Sequence, residues 1–474
     1  MTYKPTKKSL KAHPVPQWFD DAKLGLFVHW GLYSVPGWAK PRVNLQGIPG
    51  DNTDTPYAEW YANSMKIKGS PTWEYHKKTY GHAMSYADFR RDFLEQSAQA
   101  NPAEWAEWAA RIGAGYGLIT TKHHDGYCLY PTEVPHPRVT DWNTKRDFIG
   151  EFASGLRTRG LRFGAYYSGI WDWSFQGKYP IQDEYSMLTN GDGSRQYANY
   201  CHSQFKELID RYQPEVLYND IGYPTRGRLE QLLAHYYNTV PDGVANNRWI
   251  RWRIPDNPMI RAAVRGILKL KDKFMAVDWG STDLSIPFGD FATPEFLTLQ
   301  ETVDYKWETL RGLGSSFGYN RAENAKNTIT GSELILLFTD IVSKNGNLAI
   351  NIGPKADGSL PECQKRPLEE LGAWMDLHQN AVKKTRPWKR AEGTRTDNGT
   401  ARYVRKDKDL FIYLSKGLKD VVLEDLSLAP GSDAIRVSDS KKVEMVSTGN
   451  GTRLVKPCSS KDGAVTVLQI PEGA

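Results

Sequence analysis

Cysteine is scarce in this chain. Its 474 residues hold four: Cys128, Cys201, Cys363 and Cys458, scattered with no CxxC or other metal-ligand spacing. Disulfides are neither required nor excluded, and the spacing gives no support for a cysteine-bound metal. Long apolar runs are missing too. No stretch approaches the roughly 18 consecutive apolar residues that read as a membrane span. The opening MTYKPTKKSLKAHPVPQWF lacks the apolar core of a signal peptide, so the expectation is a cytoplasmic enzyme with no membrane span. A one-sided charge is also absent. The net charge is +6, with 24% of residues charged, and outside one segment there is no basic arm, so nucleic acid is not a favoured partner. There is no internal repeat and no low-complexity tract.

Aromatic side chains are what the sequence has in excess: 16 Trp, 25 Tyr and 16 Phe. They can fill a large core, and their flat faces also stack on the apolar faces of sugar rings. Short apolar segments that read as buried strands occur at 24–30, 115–121, 161–167, 215–219, 274–279, 316–319 and 347–352. Helix-like spacing lies between them at 101–113, 146–159, 196–212, 331–343 and 364–380. Such alternation predicts an α/β fold with a parallel sheet, best accommodated as a (β/α)8-like TIM barrel. From about residue 386 the pattern becomes short alternating strands broken by Gly, Asn, Asp and Ser. That predicts a small C-terminal antiparallel β-sandwich. The expected division is a catalytic barrel over 1–385 and a sandwich domain over 386–474. The basic segment 248–273, overlapping a longer insertion 249–289, carries an apolar stripe. It reads as a helix in a barrel loop, a homo-oligomer contact or a membrane-surface helix.

The strand ends carry the chemistry, because barrel active sites form where parallel strands terminate. These ends hold His29, the run Lys122-His123-His124-Asp125, Tyr166, Asp220, Arg248 and Glu295. Polar groups for hydroxyls, aromatics for stacking and carboxylates for acid/base or nucleophilic work make up a sugar pocket. Each residue also has a plainer reading. His29 could be a hydrogen-bonded core histidine, Asp220 a helix cap, and Glu295 a solvated loop carboxylate. Glu308 and Glu59 are comparable acid candidates. A zinc held by His29, His123, His124 and Asp125 is a further alternative, but no HxxxH or HExxH spacing supports it.

Eight blocks, in order, add specificity: WFDDAKLGLFVHWGLYSVPGWA (18–39), PYAEWYANSM (56–65), TTKHHDGYCLY, KRDFIGEF, GLRFGAYYSG, VLYNDIGYP, KWETLRGLGSSFGYNR and VSKNGNLAINIGPKADGSLP. Together they resemble the α-L-fucosidases of glycoside hydrolase family 29 over most of 15–385. The resemblance implies that Asp220 is the nucleophile and Glu295 the acid/base. It further implies that His29, Glu59, Trp60, His123, His124, Tyr166 and Arg248 hold the fucose ring, with Phe27, Tyr57 and Phe317 as an apolar wall for its C5 methyl. The implied activity is retaining exo-hydrolysis of terminal α-L-fucosyl residues from oligosaccharides or glycoconjugates, without metal or organic cofactor. A retaining galactosidase and a non-catalytic fucose-binding protein are the alternatives. Two departures stand out: Tyr218 where relatives often have Trp, and a longer stretch between Arg248 and Asp290.

Overall fold

The computed structural model describes residues 2–42, 52–175, 180–252, 288–415, 420–428, 432–449 and 451–473, with a few single positions between 257 and 266. Seven parallel strands come first: β1 (Leu24–Val28), β2 (Tyr116–Lys122), β3 (Arg162–Ser168), β4 (Val216–Asp220), β5 (Val244–Ala245), β6 (Trp307–Gly312) and β7 (Gly346–Ile352). They pair in the order β5-β4-β3-β2-β1-β7-β6. Residues 291–295 supply the eighth stave. Phe291 bridges Asn246 at the end of β5, while Ala292 and Glu295 bridge Trp307 and Leu310 on β6. The ring is thereby closed. β1, β2, β4 and β7 are buried at every position, as strands covered on both faces must be.

Helices cover the outside. The helix Pro102–Arg111 begins with an Asn101 cap and a first-turn proline, a start that local chemistry favours. The helix Phe148–Arg157 buries Phe148, Ile149, Phe152, Ala153 and Leu156, one stripe at helical spacing. Each large side chain there contributes on the order of 1.5–3 kcal/mol by leaving water. The other helical segments read from the sequence are also helices: Arg195–Tyr212, Gly331–Ser343 and Glu362–His378.

One strand expectation differs. Residues 316–319 form a loop, and the strand lies earlier, at β6. Glu308 disguised it, because a barrel stave can carry a charged group inward when a partner waits there, here the Tyr116 hydroxyl. The candidate at 274–279 and most of the basic segment 248–273 lie outside the described residues.

Beyond the barrel come β8 (Arg386–Gly393), β9 (Ala401–Lys406), β10 (Asp409–Ser415), β11 (Val421–Leu423), β12 (Ala434–Arg436), β13 (Lys441–Val443), β14 (Met445–Thr448), β15 (Gly451–Leu454) and β16 (Val465–Ile470). They make two antiparallel sheets, β13-β12-β16-β10-β9-β8 and β11-β15-β14. Strand alternation gives β10 two jobs. Leu410, Ile412 and Leu414 enter the sandwich core, and Phe411 and Tyr413 join the barrel core. β16 divides in the same way, with Leu468 and Ile470 on one side and Val465 and Val467 on the other.

Candidate active site

The site forms where the strands end. On β2 the pairing with β3 slips between Thr120 and Lys122, leaving Thr121 as a bulge. A bulge re-aims the residues that follow it. His123 and His124, which strict alternation would send to opposite faces, instead lie with ring centroids 4.0 Å apart. Lys122 turns away from them. Its ammonium meets Asp172 at 2.8 Å and lies over the Tyr167 ring.

Asp220 closes β4 and is buried. Its Oδ1 accepts from Arg248 Nη1 and from the Ile221 N–H, both at 2.8 Å. Its Oδ2 accepts from the Tyr166 hydroxyl at 2.7 Å. Ile221 has φ +59°, a conformation that is strained for a β-branched residue. This turn is what brings its N–H back onto the Asp220 carboxylate. The next residue must be glycine: a Cβ on Gly222 would come within 2.6 Å of the Ile250 carbonyl and 2.5 Å of the Trp252 ring.

Arg248 also reaches Glu295 Oε1, at 2.6 Å. The same Nη1 therefore touches both carboxylates, which limits those two oxygens to a separation of at most about 5.4 Å, the sum of the contacts. Carboxyl pairs in retaining glycosidases lie about 5–5.5 Å apart, against about 6.5–9.5 Å for inverting ones. The rest of the guanidinium is pinned by Thr293, through its hydroxyl at 3.0 Å and its carbonyl at 2.8 Å. Burial opposes the charge on Arg248, yet Glu295 and Asp220 outweigh it and hold its pKa well above the ordinary arginine value.

The remaining residues line the same space. The His29 ring lies 5.2 Å from Phe317 and 5.8 Å from His123. Burial brings the His29 pKa down to about 4. His123 and His124 are likewise pushed well below the usual value, His123 by burial and then His124, His124 by burial and then Lys122. Trp60 meets His124, Trp171 and Trp173 edge-on. Tyr57 and Phe317 stack, and Phe27 underlies His29, Tyr166 and Tyr218. Glu59 Oε2 accepts from the N–H groups of Phe317 and Gly318 at 3.2 and 2.9 Å. Its Oε1 is buried without a hydrogen-bond partner, and burial lifts its pKa to about 8.

All twelve residues expected from the sequence thus gather at one mouth. Glu308 does not. It stands near the start of β6, bonded to the Tyr116 hydroxyl at the start of β2, at the opposite end of the barrel. Asp125 is occupied by Tyr86 and the Tyr127 N–H, and among the described residues no group of three His, Cys, Asp or Glu is arranged to hold a metal ion. Sequence reading missed Phe296, packed on Phe317, and Asn351, bonded to His29. It also missed Glu323, whose Oε1 accepts from the Ser315 and Ser316 N–H groups. Only the fold brings these partners together.

A family model described as alpha-L-fucosidase matches residues 1–380. Among curated relatives, the tissue alpha-L-fucosidase of Bos taurus is 29% identical over 430 residues, covering 88% of this chain and 76% of that protein. The Thermotoga maritima alpha-fucosidase, solved with a mechanism-based inhibitor, superposes with a TM-score of 0.83 at 36% identity over 99% of this chain and all of that one. The same enzyme solved with fucose gives a TM-score of 0.82 over the same coverage.

Proposed function

The chain belongs to the α-L-fucosidase family of glycoside hydrolases, and we propose that Asp220 and Glu295 carry its reaction. The activity is retaining hydrolysis of terminal α-L-fucosyl residues by double displacement. In the first step Asp220 Oδ attacks the anomeric carbon as the glycosidic C–O bond breaks, and the Glu295 proton passes to the departing oxygen. In the second, Glu295 takes a proton from water, which attacks the same carbon and releases Asp220. The single Arg248 nitrogen joining the two carboxylates supports this reading best, since it keeps their facing oxygens within about 5.4 Å, short of the gap an inverting pair needs. The buried His29, His123, His124 and Glu59 supply polar contacts for the ring hydroxyls. Phe317, Tyr57 and Phe27 supply the apolar wall that a 6-deoxy sugar needs. The substrate is a fucosylated glycan; an oligosaccharide or glycoconjugate with fucose at its non-reducing end fits a pocket at a barrel mouth. We infer that 1–385 is the catalytic unit and 386–474 an accessory sandwich, since every proposed site residue lies between Phe27 and Phe317.

Two substitutions test the roles. Asp220→Ala should nearly abolish turnover of aryl α-L-fucosides while the fold persists; wild-type turnover would refute it. Glu295→Ala should slow poor leaving groups far more than good ones, because only poor ones need protonation. Equal losses on both would remove Glu295 from the acid role.

A further inference from the structure

We propose that Ser168 and Asn351 are positioning residues that fix the tautomers of His124 and His29, so that each ring offers a bare Nε2 lone pair to a hydroxyl donor on the sugar. The inference takes the sugar-binding reading of the pocket as its premise and adds which way the hydrogen bonds run.

The directions follow from groups that can only accept. Ser168 Oγ lies 2.8 Å from the Trp171 carbonyl and 2.7 Å from His124 Nδ1. A serine has one proton, and a carbonyl has none, so the Ser168 hydroxyl donates to Trp171 and receives from His124 Nδ1–H. A neutral ring protonated at Nδ1 is bare at Nε2. That nitrogen stands 3.7 Å from Asp220 Oδ2, too far for the hydrogen bond that an Nε2–H would make. Two facing acceptors account for the gap. The same Asp220 oxygen accepts its hydrogen bond from the Tyr166 hydroxyl.

His29 is held by a separate relay of the same design. Asn351 Nδ2 donates to the Phe317 carbonyl at 2.6 Å, which orients the amide and leaves Asn351 Oδ1 facing His29 Nδ1 at 2.5 Å. An amide oxygen only accepts, so His29 carries its proton on Nδ1 and is bare at Nε2. Both relays end on backbone carbonyls of segments that line the pocket: Trp171 against Trp60 and His124, Phe317 against His29 and Tyr57. Tautomer and wall position are thus set together.

This arrangement keeps His124 from donating to the nucleophile. Without the Ser168 hydroxyl, the His124 proton is free to move to Nε2 and bond to Asp220 Oδ2, quenching the lone pair needed for attack. At both histidines the sugar must present O–H donors, so a methyl ether at either hydroxyl is excluded.

The test is long-range 1H–15N NMR on the full chain labelled at histidine, with His29→Asn and His124→Asn used only to assign signals. The expected result is the Nδ1–H pattern for both rings in the free enzyme, with the Nε2 signals moving upfield on adding L-fucose. An Nε2–H pattern at either ring overturns the proposal for that ring. A correct pattern with no response to fucose upholds the tautomers and counts against the sugar site instead. Ser168→Ala should convert His124 to the Nε2–H pattern and lower kcat about tenfold with a smaller change in KM, since transition-state contacts are lost. Ser168→Thr, which keeps the hydroxyl, should restore both. An unchanged His124 pattern in Ser168→Ala overturns the role of Ser168.

Discussion

The Lys122 ammonium and the Asp172 carboxylate meet at 2.8 Å with both side chains wholly shielded from solvent. The pair follows directly from the bulge at Thr121, which puts the histidines into the pocket and sends Lys122 behind them. Asp172 Oδ1 also accepts from Ser174 and Phe175 N–H groups at 3.1 Å. It therefore organises the turn from which Trp171 and Trp173 approach His124.

Breaking this pair leaves a buried charge without its partner, which costs about 3–5 kcal/mol. Lys122→Ala or Asp172→Ala should lower unfolding stability by that amount in a denaturant titration. The double replacement Lys122→Met with Asp172→Leu should recover part of the loss, because neither charge is then stranded. A loss below about 1 kcal/mol in both single variants would show the pair to be solvated and refute the argument.

Arg248 yields a prediction about geometry rather than charge. Its fork spans Asp220, Glu295 and Thr293 at once, and a lysine, with one compact ammonium, cannot reproduce three directions. Arg248→Lys should reduce kcat/KM for an aryl α-L-fucoside by about 100-fold or more, as small misplacements of reacting groups do. Circular dichroism should remain unchanged. Activity within a few-fold of wild type would mean that charge alone is what Arg248 provides.

Much of this was legible in the sequence, for a physical reason. Staves buried on both faces read as unbroken apolar runs, and their polar ends mark the mouth, so the barrel and strand-end residues such as His29, His123, His124, Tyr166 and Asp220 could be picked out. The roles of Trp60, Tyr57, Phe27 and Phe317 came only from the family resemblance. β6 was hidden because Glu308 points into the barrel, where it accepts from the Tyr116 hydroxyl, a partner 192 positions away. The stave at 291–295 is too short and irregular to announce itself. The facing of His123 and His124 depended on a register slip that no local pattern records. Asn351 was invisible for the same reason as Tyr116: its meaning lies in a histidine 322 residues distant.

Glu59 leads to a prediction about pH. Burial raises its pKa from 4.5 to about 8 in the folded chain, against the opposing pull of the Gly318 and Phe317 N–H groups. Folding therefore favours the protonated form. The stability linked to this group is fully present below pH 4.5 and is lost as pH rises through about 8. Glu308 and Glu323, each raised to about 7 chiefly by burial, act in the same direction, so the free protein should melt at lower temperature at pH 9 than at pH 6. Glu59→Gln keeps a neutral group of the same shape and removes one of the three titrations. Its melting temperature should fall less steeply than wild type between pH 6 and 9 in a thermal-shift series. Parallel profiles would show that Glu59 is already ionised in the fold, and that Oε1 faces water rather than a site awaiting a hydroxyl.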